Sequence, residues 1–161
     1  NLTVEVDGST LSGSRRALNE PVFYKSHAGR IVRLDVSING TFFTTYAADG
    51  VIVATPTGST AYSFSARGPI VSPLHNCMVL TPVSPHMLFD RALVLDPSEE
   101  VRFDLKGTLS AVLTLDGREI GLLDADSTVR CTGAAHPALI ATFGPRDFHQ
   151  VLKAKFGLAD R

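Results

Sequence analysis

Apolar and polar positions alternate along most of this chain. "LTVEVDG" sets Leu2, Val4 and Val6 to one side and then turns. "RLDVSINGTFF" repeats the pattern with Leu34, Val36 and Ile38 and turns at Asn39-Gly40. "AVLTLDGREIGLL" alternates through Val112 and Thr114 and turns at Asp116-Gly117. A period of two marks strands, and Asn-Gly or Asp-Gly accepts the positive φ angles of tight hairpin turns. Three hairpins are therefore expected. "MVLTPV", "ALVLDP", "VRFDL", "TVRCTG" and "ALIATFG" add short strands between breakers. Strands this short and this closely spaced predict a mainly β fold, an antiparallel sandwich-like domain.

Two stretches break the rhythm. "PRDFHQVLKAKFG" reads as a C-terminal helix, capped by Asp147 and ended by Gly157. Phe148, Val151, Leu152 and Phe156 share one face of it, which predicts a core or subunit contact. The other stretch is "VIVATPTGSTAYSFSARGP". Pro56 stops the strand "VIVAT" because proline offers no amide to a ladder. Thr57-Gly58 turn the chain, Ser59 or Thr60 can cap a helix, and "AYSFSA" gives under two turns before Gly68-Pro69.

Composition narrows the class. The chain has 161 residues, 44% of them apolar, enough for one domain with a real core. No repeat, low-complexity linker or charge block divides it, so residues 1–161 read as a single domain. A net charge of −1 argues against a nucleic-acid surface. No apolar run suits a membrane span, and no signal peptide opens the chain. The opening residue is Asn1, which suggests a fragment or a processed chain. Cys77 and Cys131 form no CxxC and read as buried thiols in a reducing cytoplasm.

Candidate chemistry centres on "TPTGSTAY", residues 55–62. A strand, a tight turn and a helix start present unpaired amides to one spot, and hydroxyls beside them suit a base, a ribose or a phosphate. A plainly capped helix is the structural alternative. A Walker loop needs a lysine that does not follow Gly58, and a nucleophile elbow needs GxSxG, which Ser59 does not satisfy. Recognition suits the turn better than nucleophilic attack. The five histidines show no metal-ligand spacing, and His86 reads as structural. Asp124 and Asp126 read as turn acids. No catalytic residue and no metal ligand is assigned.

"DGVIVATPTGSTAYSFSARGPIVSP" closely resembles the C-terminal domain of the NAD kinase family, the ATP- or polyphosphate-NAD kinases. "ALNEPVF", "LTPVSPHMLFDRALVL" and "LTLDGREIGLL" resemble further segments of that domain, in order. The resemblance implies a β-rich sandwich that binds NAD for phosphorylation of its adenosine 2′-hydroxyl. ATP or polyphosphate would be the donor, with Mg²⁺ accompanying it. The family's Gly-Gly-Asp-Gly motif belongs to an N-terminal α/β domain and does not occur in these residues, so the chain alone is expected to be inactive.

The resemblance also assigns roles. Asn19 would read a base edge or ribose, and Glu20 would accept from ribose hydroxyls. Thr57, Thr60 and Ala61 would line an adenine pocket walled by Tyr62, with Ser65 one helical turn beyond Ala61. Asp49 would approach a nicotinamide bound mainly by a neighbouring subunit, which implies a homodimer or homotetramer. Arg30 would lie near the dinucleotide. Arg118 stands where many relatives have glutamine and could approach the diphosphate. Two other classes stay open: a non-catalytic nucleotide-binding sandwich, and the C-terminal domain of a distantly related lipid kinase.

Overall fold

The computed structural model describes residues 1–27, 29–105, 110–145 and 147–158. Among the described residues, twelve strands form two six-stranded sheets, and every pairing is antiparallel. The first sheet contains β1 (Leu2–Asp7), β2 (Gly13–Ala17), β4 (Val32–Ile38), β5 (Thr41–Ala48), β9 (Val101–Leu105) and β12 (Thr128–Gly133), in the order β2-β1-β12-β9-β4-β5. The second contains β3 (Pro21–Lys25), β6 (Gly50–Ala54), β7 (Met78–Val83), β8 (Leu93–Leu95), β10 (Ala111–Leu115) and β11 (Arg118–Leu123), in the order β11-β10-β3-β6-β7-β8.

The period of two explains the layering. Val4, Val6, Leu34, Val36, Phe103 and Val129 from the first sheet meet Phe23, Val51, Val53, Leu80 and Leu113 from the second in one buried core. The Phe23 and Phe103 rings lie 4.3 Å apart across it. The first sheet's other face carries polar residues: Arg130 pairs with Asp7, and Arg102 with Asp104. β6 differs, because all five of its residues are buried. A strand covered on both faces reads as a continuous apolar run. Its cover is α1 (Tyr62–Ser65) with the chain that follows. There Val22, Ile52, Ala54 and Val79 form a second, smaller core against Tyr24, Tyr62, Ala66 and Val71.

The hairpin signals hold. Asn39-Gly40 joins β4 to β5 and Asp116-Gly117 joins β10 to β11, with positive φ at all four residues. β1 and β2 also pair as a hairpin, through the longer loop 8–12. α2 (Phe148–Phe156) begins at Asp147, whose carboxylate accepts from the amides of His149 and Gln150, and ends at Gly157 in the left-handed conformation. Its apolar face is only half-buried, with Val151 exposed, and the helix has no buried residue. The Phe156 ring packs 4.9 Å from Phe64 of α1, and Lys155 donates to the Thr60 carbonyl.

Two expectations fail. "ALIATFG" forms no strand, and Leu139, Ile140 and Phe143 stand exposed. Its β-branched pattern meets no partner edge among the described residues. Neither Ser59 nor Thr60 caps a helix: the 3₁₀ turn Gly58–Thr60 and α1 both begin without a side-chain cap. No helix among the described residues is long and apolar enough to cross a membrane.

Candidate functional site

The hydroxyls of "TPTGSTAY" and of Ser63, which follows it, divide by task. Thr55, Ser59 and Ser63 are buried. Ser59 Oγ donates to the Pro56 carbonyl and accepts from the Val71 amide at 2.9 Å, which ties the turn to the covering chain. Ser63 Oγ meets Thr81 Oγ1 at 3.0 Å. Thr55 Oγ1 donates to the Leu18 carbonyl at 2.7 Å and accepts from the Gly58 amide at 3.0 Å. Thr57 is exposed and Thr60 half-buried, so these two remain on the accessible side. The turn's amides are less open than the sequence suggests. Those of Gly58, Ser59 and Ala61 bond to Thr55 and to the turn's own carbonyls. The turn is therefore a stitched wall rather than an anion cradle.

Asn19 and Glu20 lie against that wall, between β2 and β3. The Thr55 amide donates to the Asn19 carbonyl at 2.8 Å. Gly58 passes so close that a Cβ there would sit 2.2 Å from the same oxygen. From the other side comes Asp116. Its carboxylate accepts from the amides of Leu18 (2.8 Å), Asn19 (2.6 Å) and Glu20 (3.1 Å). The Asp116 amide donates to the Glu20 carbonyl at 3.0 Å.

Glu20 is 4% exposed, and its Oε2 has no hydrogen-bond partner among the described residues. Burial first, and the nearby Asp116 charge second, raise its pKa from 4.5 to about 7. The Tyr24 and Tyr62 rings stand 5.6 Å apart. Burial, a hydrogen bond to Tyr62 and the charge of Glu20 raise the Tyr24 phenol well above its ordinary value. Asn19, Glu20, Tyr24 and Tyr62 thus share one neighbourhood with the 55–62 turn.

Beyond α1 opens a cavity of about 590 Å³, lined by Tyr62, Ser65, Arg67, Ser84, Met87 and Asp90 among others. Ser65 and Tyr62 both reach it. Ala61 does not share their helix, because it precedes α1 in a non-helical conformation (φ −101°, ψ −126°). Asp49 connects β5 to β6. It pairs with Lys25 Nζ at 2.6 Å and lies 4.0 Å from His86 Nε2. Gly50 pairs across from Tyr24, which brings this charged cluster beside the aromatic pair. Arg118 opens β11 two residues after Asp116. Arg30 stands exposed in the chain between β3 and β4, and no hydrogen bond or ion pair among the described residues links it to the group. No three or more His, Cys, Asp or Glu residues among those described are placed to hold a metal ion.

Asp116, Thr55 and Tyr24 are absent from the sequence-derived set. Asp116 is visible there only as the first half of a turn dipeptide, and Thr55 only as the end of a strand and the first hydroxyl of the 55–62 stretch.

Comparison with known proteins adds a family. Residues 18–142 match the ATP-NAD kinase C-terminal domain family. An NAD kinase of Geobacter metallireducens is 40% identical over 156 residues, which cover 96% of this chain and 55% of that protein. An NAD kinase of Moorella thermoacetica is 42% identical over 141 residues, 86% of this chain and 45% of that protein. The chain spans about half the length of these relatives. Among solved structures, yeast NADH kinase complexed with NADH superposes with a TM-score of 0.87 at 28% identity, covering 99% of this chain and 50% of the yeast chain. An NAD kinase from Archaeoglobus fulgidus in complex with ATP gives 0.70 at 26% identity, covering 85% of this chain and 52% of that one.

Proposed function

The chain belongs to the ATP-NAD kinase C-terminal domain family, and on that premise we propose that it is the dinucleotide-holding half of an NAD kinase. The reaction is transfer of a terminal phosphoryl group from ATP, or from polyphosphate, to the adenosine 2′-hydroxyl of NAD, giving NADP. The observation that carries the reading is Glu20: a buried carboxylate oxygen without a partner, on a segment whose backbone is fully engaged, beside two tyrosines. A buried acceptor in that condition is costly until a donor arrives, and ribose hydroxyls are donors.

Asn19 supplies an amide for a base edge or ribose. Thr57, Thr60 and Ala61 face the adenine, and Tyr62 gives it an aromatic wall. Ser65 extends the same site along the cavity. Arg118, whose backbone pairs with Leu115 and so lies two strands from Pro21, is assigned to approach a diphosphate, and Arg30 to lie near the dinucleotide. Phosphoryl transfer also needs a carboxylate aimed at the attacking hydroxyl and a cradle for the donor phosphates. We assign both to an N-terminal domain bearing the Gly-Gly-Asp-Gly motif, and the 161-residue chain alone is inactive on this reading. The described residues do not gather a carboxylate set for Mg²⁺. A divalent ion would accompany the donor phosphates.

The reading extends to assembly and place. β5 is an edge strand without a charged residue, carries Phe42 at 60% and Phe43 at 40% exposure, and runs directly into Asp49. An uncharged apolar edge favours pairing with another copy, so we expect a homodimer or homotetramer with Asp49 at a subunit boundary. The two thiols, free of any disulfide, suit a reducing cytoplasm.

The test is NAD affinity in the full-length protein. Asn19→Ala and Glu20→Ala each remove a polar contact of about 1–3 kcal/mol, which is roughly five- to a hundredfold in Kd. Isothermal calorimetry showing unchanged affinity in both variants would sink the assignment.

A further inference from the structure

We propose that Asp116 is a positioning residue for the ligand site: its carboxylate gathers the amides of Leu18, Asn19 and Glu20 and thereby fixes where the Asn19 and Glu20 side chains point. The inference rests on the functional reading above and deepens it.

The hydrogen-bond inventory of Leu18–Glu20 carries the argument. Three residues bring six backbone polar groups. The three amides all go to the Asp116 carboxylate. The Leu18 carbonyl accepts from Thr55 Oγ1, the Asn19 carbonyl from the Thr55 amide, and the Glu20 carbonyl from the Asp116 amide. Two residues from two other parts of the chain thus satisfy the whole segment. No backbone group is left to compete for the side chains, so Asn19 and Glu20 are free for a ligand. The unpartnered, buried Oε2 of Glu20 points to one independently.

Asp116 suits the task for two reasons. An ionised carboxylate only accepts, and its two oxygens offer about four lone-pair sites, enough for three amides. It also sits at φ +50°, in the left-handed region that Asp and Asn tolerate better than most residues. The turn therefore brings the carboxylate over the segment without needing a glycine there. Asn39 begins a turn of the same kind in the other sheet, and its side chain serves only the scaffold: Oδ1 accepts from the Glu100 amide at 2.9 Å.

The experiment compares Asp116→Gly, Asp116→Asn and Asn39→Gly in the full-length protein. Glycine keeps the turn's backbone and removes only the side chain. Asparagine keeps one acceptor oxygen. NAD affinity is read by calorimetry, and hydrogen exchange is read at the amides of residues 18–20 in the unliganded protein. Asp116→Gly should weaken NAD at least tenfold and speed exchange at those amides at least tenfold. Asp116→Asn should fall between it and the unaltered protein, and Asn39→Gly should change neither readout. If Asp116→Gly does not fold, Asp116→Asn against Asn39→Gly carries the same comparison. NAD affinity within twofold of the unaltered protein in the Asp116 variants would overturn the proposal, as would an equal loss in Asn39→Gly. An unaltered protein that binds no NAD would instead overturn the functional reading, and this inference with it.

Discussion

Two hairpin turns in this molecule share a backbone and differ in use. Asn39-Gly40 and Asp116-Gly117 have φ values of 51° and 76°, and 50° and 78°. Each turn's first residue reaches out of the hairpin with its side chain. Asn39 reaches the chain before β9, where it accepts from the Glu100 amide, and its own amide donates to the Glu100 carbonyl. That bond joins two neighbouring connections of one sheet and ends there. Asp116 reaches a segment that carries a buried, unpartnered carboxylate. The difference teaches that a turn dipeptide specifies local geometry only. What the turn contributes to function depends on which segment the fold brings within reach of its side chain.

The largest expected effect breaks the comparison at the segment itself. Gly58→Ala would put a Cβ 2.2 Å from the Asn19 carbonyl oxygen, 2.6 Å from its carbon and 2.8 Å from its Cα, all backbone that cannot swing aside. We expect a loss of about 3 kcal/mol or more in urea unfolding, together with loss of NAD binding. A variant of native stability would mean that the Asn-Glu segment is not held against the turn.

The next effect is a dependence on pH. Glu20 titrates near 7 in the fold and near 4.5 when unfolded, raised first by burial and then by Asp116. Its protonated form is favoured in the fold. The stability it contributes is therefore full below pH 4.5 and is lost as pH rises through 7. Glu20→Gln removes this dependence. Relative to the unaltered protein it should gain on the order of 3 kcal/mol between pH 4.5 and pH 8. Thermal unfolding across that range checks it, and a constant difference between the two proteins would contradict the burial of that carboxylate.

The smallest effect sharpens the comparison. A Cβ at Gly40 or Gly117 meets nothing within 4 Å, so only the positive φ opposes alanine. Gly40→Ala and Gly117→Ala should each cost about 1 kcal/mol, equal within a few tenths. Equal costs would confine the functional difference between the turns to the Asn39 and Asp116 side chains. Unequal costs would show that the two backbones are not equivalent.

Much of the scaffold was legible before folding was considered. The alternation of Val4 with Val6 and of Leu34 with Val36 reports which face is buried, because one face of each sheet meets the core. Asp147 and Gly157 report the ends of α2, because capping is local chemistry. "ALIATFG" misled because a strand also needs a partner edge, which local pattern does not supply. The "TPTGSTAY" stretch was legible as a turn and as a resemblance, but its division of labour was not. Nothing local says that Thr55, Ser59 and Ser63 stitch the loop while Thr57 stays exposed. Ala61 was placed on the helix face with Ser65, yet it precedes α1. The hold of Asp116 on Asn19 spans 97 residues of sequence, and no window of neighbours contains both ends.

That span has a consequence for how the protein comes into being. As the chain leaves the ribosome, Asn19 and Glu20 emerge before Thr55, and Thr55 before Asp116. The hairpins β1–β2 and β4–β5 can close from near neighbours during this interval. The Asn-Glu segment cannot, because its amides wait for a carboxylate 97 residues downstream. Contacts of such separation form late, after the entropy of closing the intervening chain has been met. On the proposed reading, ligand competence is therefore a late event in the history of each molecule, followed by the closure of the first sheet, whose β12 emerges later still and pairs Gly133 with Leu2.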